Sequence, residues 1–489
     1  MSKSLRVSRL DVKVMVQRWA SDPVLAVILG VLALAIRSYQ IGAQSIWYDE
    51  VVSLLNARQP SLTSVISATQ SDVHPPLYYL LLHAWLAVRQ TDGWARLLSA
   101  IVGAATASLT YVVGVRLLRA RLVGVVAATL LAFAPAHVAL SQEARMYPLL
   151  GLLTIVSVLL LDWALRRDSV RAWLTYALVC ALLPWTHYFG FFVLAAHGLG
   201  SLALGFREPR LVARAWLALA LAGALFLPWL PSFSAQLAAV HNGFWITAFE
   251  PEQLGETFRE LAFFYTPDHG ALSDPLTQAG SYLYYALALG GTMVIVFRRR
   301  SATMLPLALG IPIALAIAVS VWVAPIYNER YLLFTQPAFI LLAVVGLMDL
   351  PKWWRVGAVV LLMVGNLVSL RTWFRDDFYA RPDLRQASHE IVAGFQPGDV
   401  ILHSAAMTNL PVTYYVGDGY PTVGLGPNQR EHAQQIGHDY RRVWLVRTED
   451  SAGNSVDIEV AMFMADFKLV RKVPLKGNAA IYLYQSPYG

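Results

Sequence analysis

Ser45-Ile46-Trp47-Tyr48-Asp49-Glu50 sets two adjacent acids directly after the first long apolar segment, Pro23 to Ile41. The 489-residue chain is 57 % hydrophobic and 14 % charged, and its mean hydropathy is +0.50. An apolar stretch of about 18 residues or more reads as a membrane-spanning helix. Many such stretches occur, each ended by a short basic cluster or a polar motif. The chain therefore reads as a polytopic α-helical membrane protein. Carboxylates beside a bilayer are costly and mark a site, so the side on which Asp49 and Glu50 lie decides what they can act on.

Basic clusters assign the sides, because Lys and Arg concentrate in cytoplasmic loops. Lys3, Arg6, Arg9, Lys13 and Arg18 precede the first span without an apolar core or cleavage site, as in a cytoplasmic leader to an uncleaved span. The acids of the opening motif then fall outside. The second span, Trp94 to Arg116, returns to Arg116, Arg119 and Arg121. Between them, residues 42–93 form an external loop of about 50 residues, longer than an ordinary connection. Within it, Val51, Leu54 and Leu55 share a helical face, as do Leu62, Val65 and Ile66. Leu77 to Val88 is apolar but, at about 12 residues, too short to span; it fits an interfacial helix.

The third span is Leu122 to Leu140, and the fourth reaches Arg166, Arg167 and Arg171. The fifth ends at His187 and Tyr188, the sixth at Arg207, Arg210 and Arg214, and the seventh at Pro228 to Pro231. A polar external loop, 232–281, follows. The eighth reaches Arg298, Arg299 and Arg300, the ninth ends at Glu329 and Arg330, the tenth at Lys352 and Arg355, and the eleventh near Trp373. About 11 spans result, with each basic cluster inside. Residues 1–374 form this membrane domain. From 375 to 489 apolar runs shorten. Asp383 to Ala393 reads as a helix, and Val400 to Leu402, Val443 to Val446 and Ile481 to Tyr484 as strands. By parity this α/β domain is extracytoplasmic, in a multi-pass protein of the cell (plasma) membrane.

The net charge of +7 lies in short clusters between apolar segments, which orients a membrane protein and does not indicate a nucleic-acid partner. The single cysteine, Cys180, excludes a disulfide within the chain. The unusual polar residues all fall on the outer face: Asp49, Glu50, His74, Arg96, Glu143, Arg145, His187, Glu329 and Arg330. Inner loops carry almost only Lys and Arg. Such asymmetry points to one outward polar cavity flanked by lipid.

Each residue has a functional and a structural reading. Asp49 and Glu50 precede an amphipathic helix whose N-terminus stabilises negative charge; they suit a base or metal ligand, or an N-cap. His74 precedes Pro75 and Pro76, which start a helix rigidly; it contacts a phosphate or hydroxyl, or sits exposed in a turn. Glu143 and Arg145 flank a span entry, with Tyr147 on the helical face of Glu143. They serve ligand or neutralise each other, and Glu329–Arg330–Tyr331 poses the same choice. Arginine suits phosphate because its planar fork donates bidentately. Arg96 is a third candidate cation, and His187 with Tyr188 is either site or span end. No phosphate-binding GxxxxGK[ST] loop, zinc-spaced Cys/His cluster or GxSxG elbow occurs.

In order, WYDE, HPPLYYLLLHAW, SQEARMY, THYFG and ERYLLFTQPAF resemble the motifs of membrane glycosyltransferases with the GT-C fold, which use polyprenyl-phosphate-linked sugars. The likeness runs toward bacterial relatives of protein O-mannosyltransferases and the lipid A aminoarabinose transferase, and covers the membrane part. It implies an inverting sugar transfer from a polyprenyl-phosphate donor, in the membrane lipid, to a hydroxyl of a protein, polysaccharide or glycolipid. It implies Asp49 as catalytic residue with Glu50 beside it, and Arg145 and Arg330 on the donor phosphate. Arg96, His74 and His187 extend that set, and Glu143 orients the acceptor or, with Asp49, holds a divalent cation. The rival readings are a transporter or flippase of a lipid-linked sugar, whose sites lie near the midplane at broken helices, and a ligand-binding sensor.

Overall fold

The computed structural model describes residues 9–205, 208–241, 245–263, 275–298, 302–376, 380–403, 406–424, 429–448, 462 and 465–488. Lys3, Arg6, Arg207, Arg299, Arg300 and part of loop 232–281 lie outside the described residues. The chain forms two compact units. The first comprises Met1–Tyr39, Ser61–Leu81 and Leu97–Leu370; the second comprises Gln40–Pro60, Leu82–Arg96 and Arg371–Gly489.

The helices in chain order are α1 (Arg9–Ser38), α2 (Tyr48–Ala57), α3 (Leu62–Gln70), α4 (Leu77–Leu86), α5 (Asp92–Arg116), α6 (Arg121–Ala132) and α7 (Pro135–Ser141). They continue with α8 (Tyr147–Arg167), α9 (Val170–Thr186), α10 (Gly190–Gly205), α11 (Pro209–Ala224), α12 (Leu230–His241), α13 (Glu252–Ala262) and α14 (Pro275–Arg298). The remainder are α15 (Met304–Trp322), α16 (Glu329–Leu332), α17 (Gln336–Met348), α18 (Lys352–Arg375), α19 (Leu384–Gly394), α20 (Ala406–Val416) and α21 (Gln429–Asp439).

All eleven anticipated segments are helical. Among the described residues, seven helices are long and apolar enough to cross a membrane, or eight if the bent pair α6–α7 is one span. The apolar part of α1, with α9 and α10, falls among shorter apolar helices of 10–17 residues. Three local expectations differ. The third segment is bent by 60°, because Pro135 offers no N–H and holds Ala134 in extended backbone. The stretch after Pro231 continues as α12 and then α13 where a polar loop is predicted. On α2 and α3, Val51, Leu54 and Val65 are buried, whereas Leu55 and Leu62 are exposed.

In the first unit α17 is the central helix: apolar on every side, it is buried all round. It packs on α14, α6 and α15. Gly291 of α14 and Gly346 of α17 let the two backbones touch, since a Cβ on either would collide with a carbonyl of the other helix. Small residues at such crossings are what holds helices together where lipid is as apolar as leucine.

The second unit holds a sheet of β1 (Asp399–His403), β2 (Thr422–Gly424), β3 (Arg442–Thr448), β4 (Lys468–Leu475) and β5 (Ala479–Gln485), ordered β2-β1-β3-β5-β4. β1 is parallel to β2 and β3; β5 is antiparallel to β3 and β4. Alternate residues face opposite sides. Ile401, Trp444 and Ile481 pack under α19 and α20, while Val400, Leu445 and Tyr482 pack under α21. The predicted helix and three strands are present, with Asp383 capping α19 through Gln386 N. β4 is an exposed edge carrying Lys468, Arg471 and Lys472, charges that discourage pairing with another edge.

Candidate active site

The opening motif belongs to the second unit. Trp47 is the N-cap of α2 and makes no side-chain cap bond, so Asp49 and Glu50 lie in the first turn and neither is the N-cap. Glu50 is fully buried. Arg96 Nε and Nη2 hold its two oxygens at 2.8 and 2.7 Å, and Arg381 Nη1 adds a third bond at 2.8 Å. The rest of the Arg96 guanidinium donates to the carbonyls of Ile41, Gln44 and Ser45 at 2.8–3.0 Å. Arg96, expected to bind phosphate, instead spends its donors inside the protein, and Glu50 is its counter-ion. Breaking a buried pair of this kind leaves an uncompensated charge and costs about 3–5 kcal/mol. Asp49 is partly buried, and its backbone carbonyl accepts from Ser53 Oγ at 3.0 Å.

The other candidates converge in the first unit. The turn between α7 and α8 carries Glu143 and Arg145. It is not helical, so Tyr147, the first residue of α8, does not share a helical face with Glu143 as predicted. Arg145 Nη2 donates to His74 Nε2 at 2.9 Å. A guanidinium can only donate, so Nε2 is the acceptor and His74 is neutral on that nitrogen. Burial, then the Arg145 charge, pushes its pKa well below the ordinary value. His74 is 5 % exposed, which excludes the solvated-turn reading. Arg330 Nη2 pairs with Glu143 Oε2 at 2.5 Å. Both guanidiniums lie over the Tyr147 ring, Arg145 at 5.7 Å and Arg330 at 5.6 Å. Tyr147 in turn stacks on Tyr331, with centroids 5.8 Å apart.

His187 ends α9, its ring 5.2 Å from His74 and 5.0 Å from Tyr331. Phe189 N donates to its Nδ1 at 3.1 Å, which puts the proton on Nε2. That buried Nε2 has no hydrogen-bond partner among the described residues. Burial, then His74 and Arg145, holds the His187 pKa well below the usual range. Tyr188 hydrogen-bonds Gln236 Oε1 and accepts from Trp229 Nε1 at 3.0 Å, and it lines the same cavity as His187. Glu329 opens α16 beside Asn328, the N-cap that accepts from Arg330 N. Glu260 of α13 was not singled out by the sequence. Its carboxyl is buried near Glu329 and Arg330, and its Oε2 has no partner among the described residues.

A cavity of about 290 Å³ opens beside this cluster, lined by His74, His187 and Tyr331 and by apolar groups such as Phe189, Phe192 and Phe233. Arg145, bonded to His74 of the cavity wall, and Arg330, on the same Tyr147 ring, suit an anion whose apolar tail lies in the cavity. Among the described residues no group of three or more His, Cys, Asp or Glu side chains is placed to hold a metal ion.

No protein-family model matches the chain, and no curated protein matches it in sequence. Its fold is similar to that of ArnT from Cupriavidus metallidurans in the apo state, with a TM-score of 0.60 at 13 % identity over 94 % of this chain and 97 % of that one. ArnT from the same organism bound to undecaprenyl phosphate matches with a TM-score of 0.57 at 13 % identity over the same shares, 94 % and 97 %. The chain thus has an ArnT-like, GT-C-type fold in a multi-pass membrane protein with a small C-terminal sheet domain.

Proposed function

We propose that this protein is an inverting membrane glycosyltransferase that moves a sugar from a polyprenyl phosphate to an acceptor hydroxyl. The observation that carries the reading is that Arg145, which donates to His74, and Arg330 share the Tyr147 ring next to an apolar cavity walled by His74, His187 and Tyr331. The fold match to an ArnT structure holding undecaprenyl phosphate supports it. In the proposed reaction the acceptor oxygen attacks the anomeric carbon as the bond from that carbon to the phosphate oxygen breaks. Asp49 takes the hydroxyl proton, which as general base contributes typically 10²–10⁴-fold. The electron pair leaves with the lipid phosphate, and Arg145 and Arg330 stabilise its charge. The His187 Nε2–H is a further donor for a phosphate or sugar oxygen. Glu50 and Arg96 hold the backbone that presents Asp49. Single displacement inverts the anomeric carbon, and the phosphate ester supplies the activation without a nucleotide. The site and C-terminal domain face outward across the plasma membrane, and the acceptor is a protein, glycan or glycolipid.

Two variants test the reading together. Asp49→Asn is expected to abolish sugar transfer in membranes supplied with lipid-linked donor, at normal folded yield. Glu50→Gln is expected to lose folded protein as well, because it strips charge from a buried pair. Near-normal transfer by Asp49→Asn would remove Asp49 from the mechanism.

A further inference from the structure

Arg37 is a cation in the last turn of the first apolar helix, and its side chain is 0 % exposed. Ionisable groups inside apolar segments are costly and mark a role. Among the described residues its partners are all neutral. Nη1 donates to the carbonyls of Ala33 and Ala132, both at 3.1 Å. Nη2 donates to the Leu131 carbonyl at 3.2 Å and to His137 Nδ1 at 2.9 Å, and Nε to Ser141 Oγ at 3.2 Å.

These partners sit on both arms of the bent pair. Leu131 and Ala132 end α6, where carbonyls lose their helical donors; the residue four beyond Leu131 is Pro135, which has no N–H. A helix C-terminus also favours a cation. His137 and Ser141 lie on α7. Arg37 therefore bridges the break. Gly103 of α5 leaves it room: a Cβ there would collide with Ser141 Oγ and lie 3.2 Å from Arg37 Nε. Gln142 ties the same point in reverse, its Nε2 donating to the carbonyls of Arg37 at 3.0 Å and Tyr39 at 2.7 Å. Glu143 and Arg145 follow at once, in a turn that no helix holds.

We infer that Arg37 is a positioning residue: it locks the α6–α7 bend and so sets the turn that carries Glu143 and aims Arg145 at the lipid phosphate. The inference rests on the proposed function for the identity of the ligand, and on the Arg37 contacts alone for the locking.

The test uses purified full-length protein and undecaprenyl phosphate as probe. Arg37→Gln is expected to weaken binding about tenfold or more, the scale seen when support behind a ligand-binding group is lost. In an Arg145→Ala background Arg37→Gln is expected to add no further loss. Losses that multiply would overturn the inference, because they would mean Arg37 acts independently of Arg145. Gly103→Ala, which keeps Arg37 and crowds Ser141, is expected to reproduce the loss, and it carries the same cycle if Arg37→Gln fails to fold. Hydrogen exchange of amides 142–146 without ligand is expected to speed up in both variants. Unchanged exchange overturns the locking. Unchanged binding by Arg145→Ala alone counts against the proposed function, and the exchange result then decides the inference by itself.

Discussion

Glu260 places a carboxyl where burial, and next the Glu329 charge, push its pKa up to about 8, with Arg330 opposing. A raised acid keeps its proton in the folded state after the unfolded chain has lost it. Stability therefore falls as pH rises from about 4.5 through about 8. Glu260→Gln removes that loss. The Tm difference between variant and parent, read by thermal unfolding in detergent, is expected to grow across this window in favour of the variant and to level off above it. A difference independent of pH would show that Glu260 is solvated. At this scale the sequence revealed His74, Glu143, Arg145, His187 and Arg330, because charge and imidazole next to apolar segments stand out. It concealed Glu260, since an acid closing the polar run Glu252 to Glu260 looks ordinary until α13 packs on α16. It misjudged Arg96 for the converse reason: an arginine at a span entry looks available, and only its bonds to Glu50 and three carbonyls show that it is occupied.

Elements were legible where a single local cause dominates. Apolar length places the helices of the membrane part, and short apolar runs, buried on both faces, place β1, β3 and β5. β4 escaped because both of its faces are largely exposed, so no apolar run is written into it. The α6–α7 bend has its cause at Pro135, yet an apolar run on both sides hides it in hydropathy. The α14–α17 crossing depends on two glycines that no pattern links. Gly346→Ala would set a methyl against the Leu287 carbonyl, and overpacking of this kind costs about 1–3 kcal/mol or more. A lower Tm is expected. Gly357→Ala on α18, where nothing lies within 4 Å of the added carbon, should be neutral or gain up to about 1 kcal/mol. Equal behaviour of the two variants would deny the close crossing.

For the whole molecule, segments far apart in sequence form one compact unit: Gln40–Pro60 and Leu82–Arg96 cluster with Arg371–Gly489. Ile46 N donates to Tyr415 Oη at 2.8 Å, Tyr415 Oη donates to Asp92 at 2.7 Å, and Arg385 pairs with Asp92 at 2.8 Å. Residues 371–489 expressed alone lack these partners. Helix α20, which packs on α2, is expected to show weaker amide protection in that fragment than in the full chain, while β1 and β3 stay protected. Equal protection of α20 would make the tail self-sufficient. The sequence by itself determined that this is a polytopic helical membrane protein with an α/β tail and a cluster of charged and imidazole side chains, because the cost of polar groups in lipid is local and leaves its mark on composition. Tertiary structure alone decided which of those groups are consumed by one another, as Glu50 and Arg96 are, and which line the cavity, as His74 and His187 do. Pairing and burial depend on what folds against a residue, and no stretch of sequence contains its own neighbours.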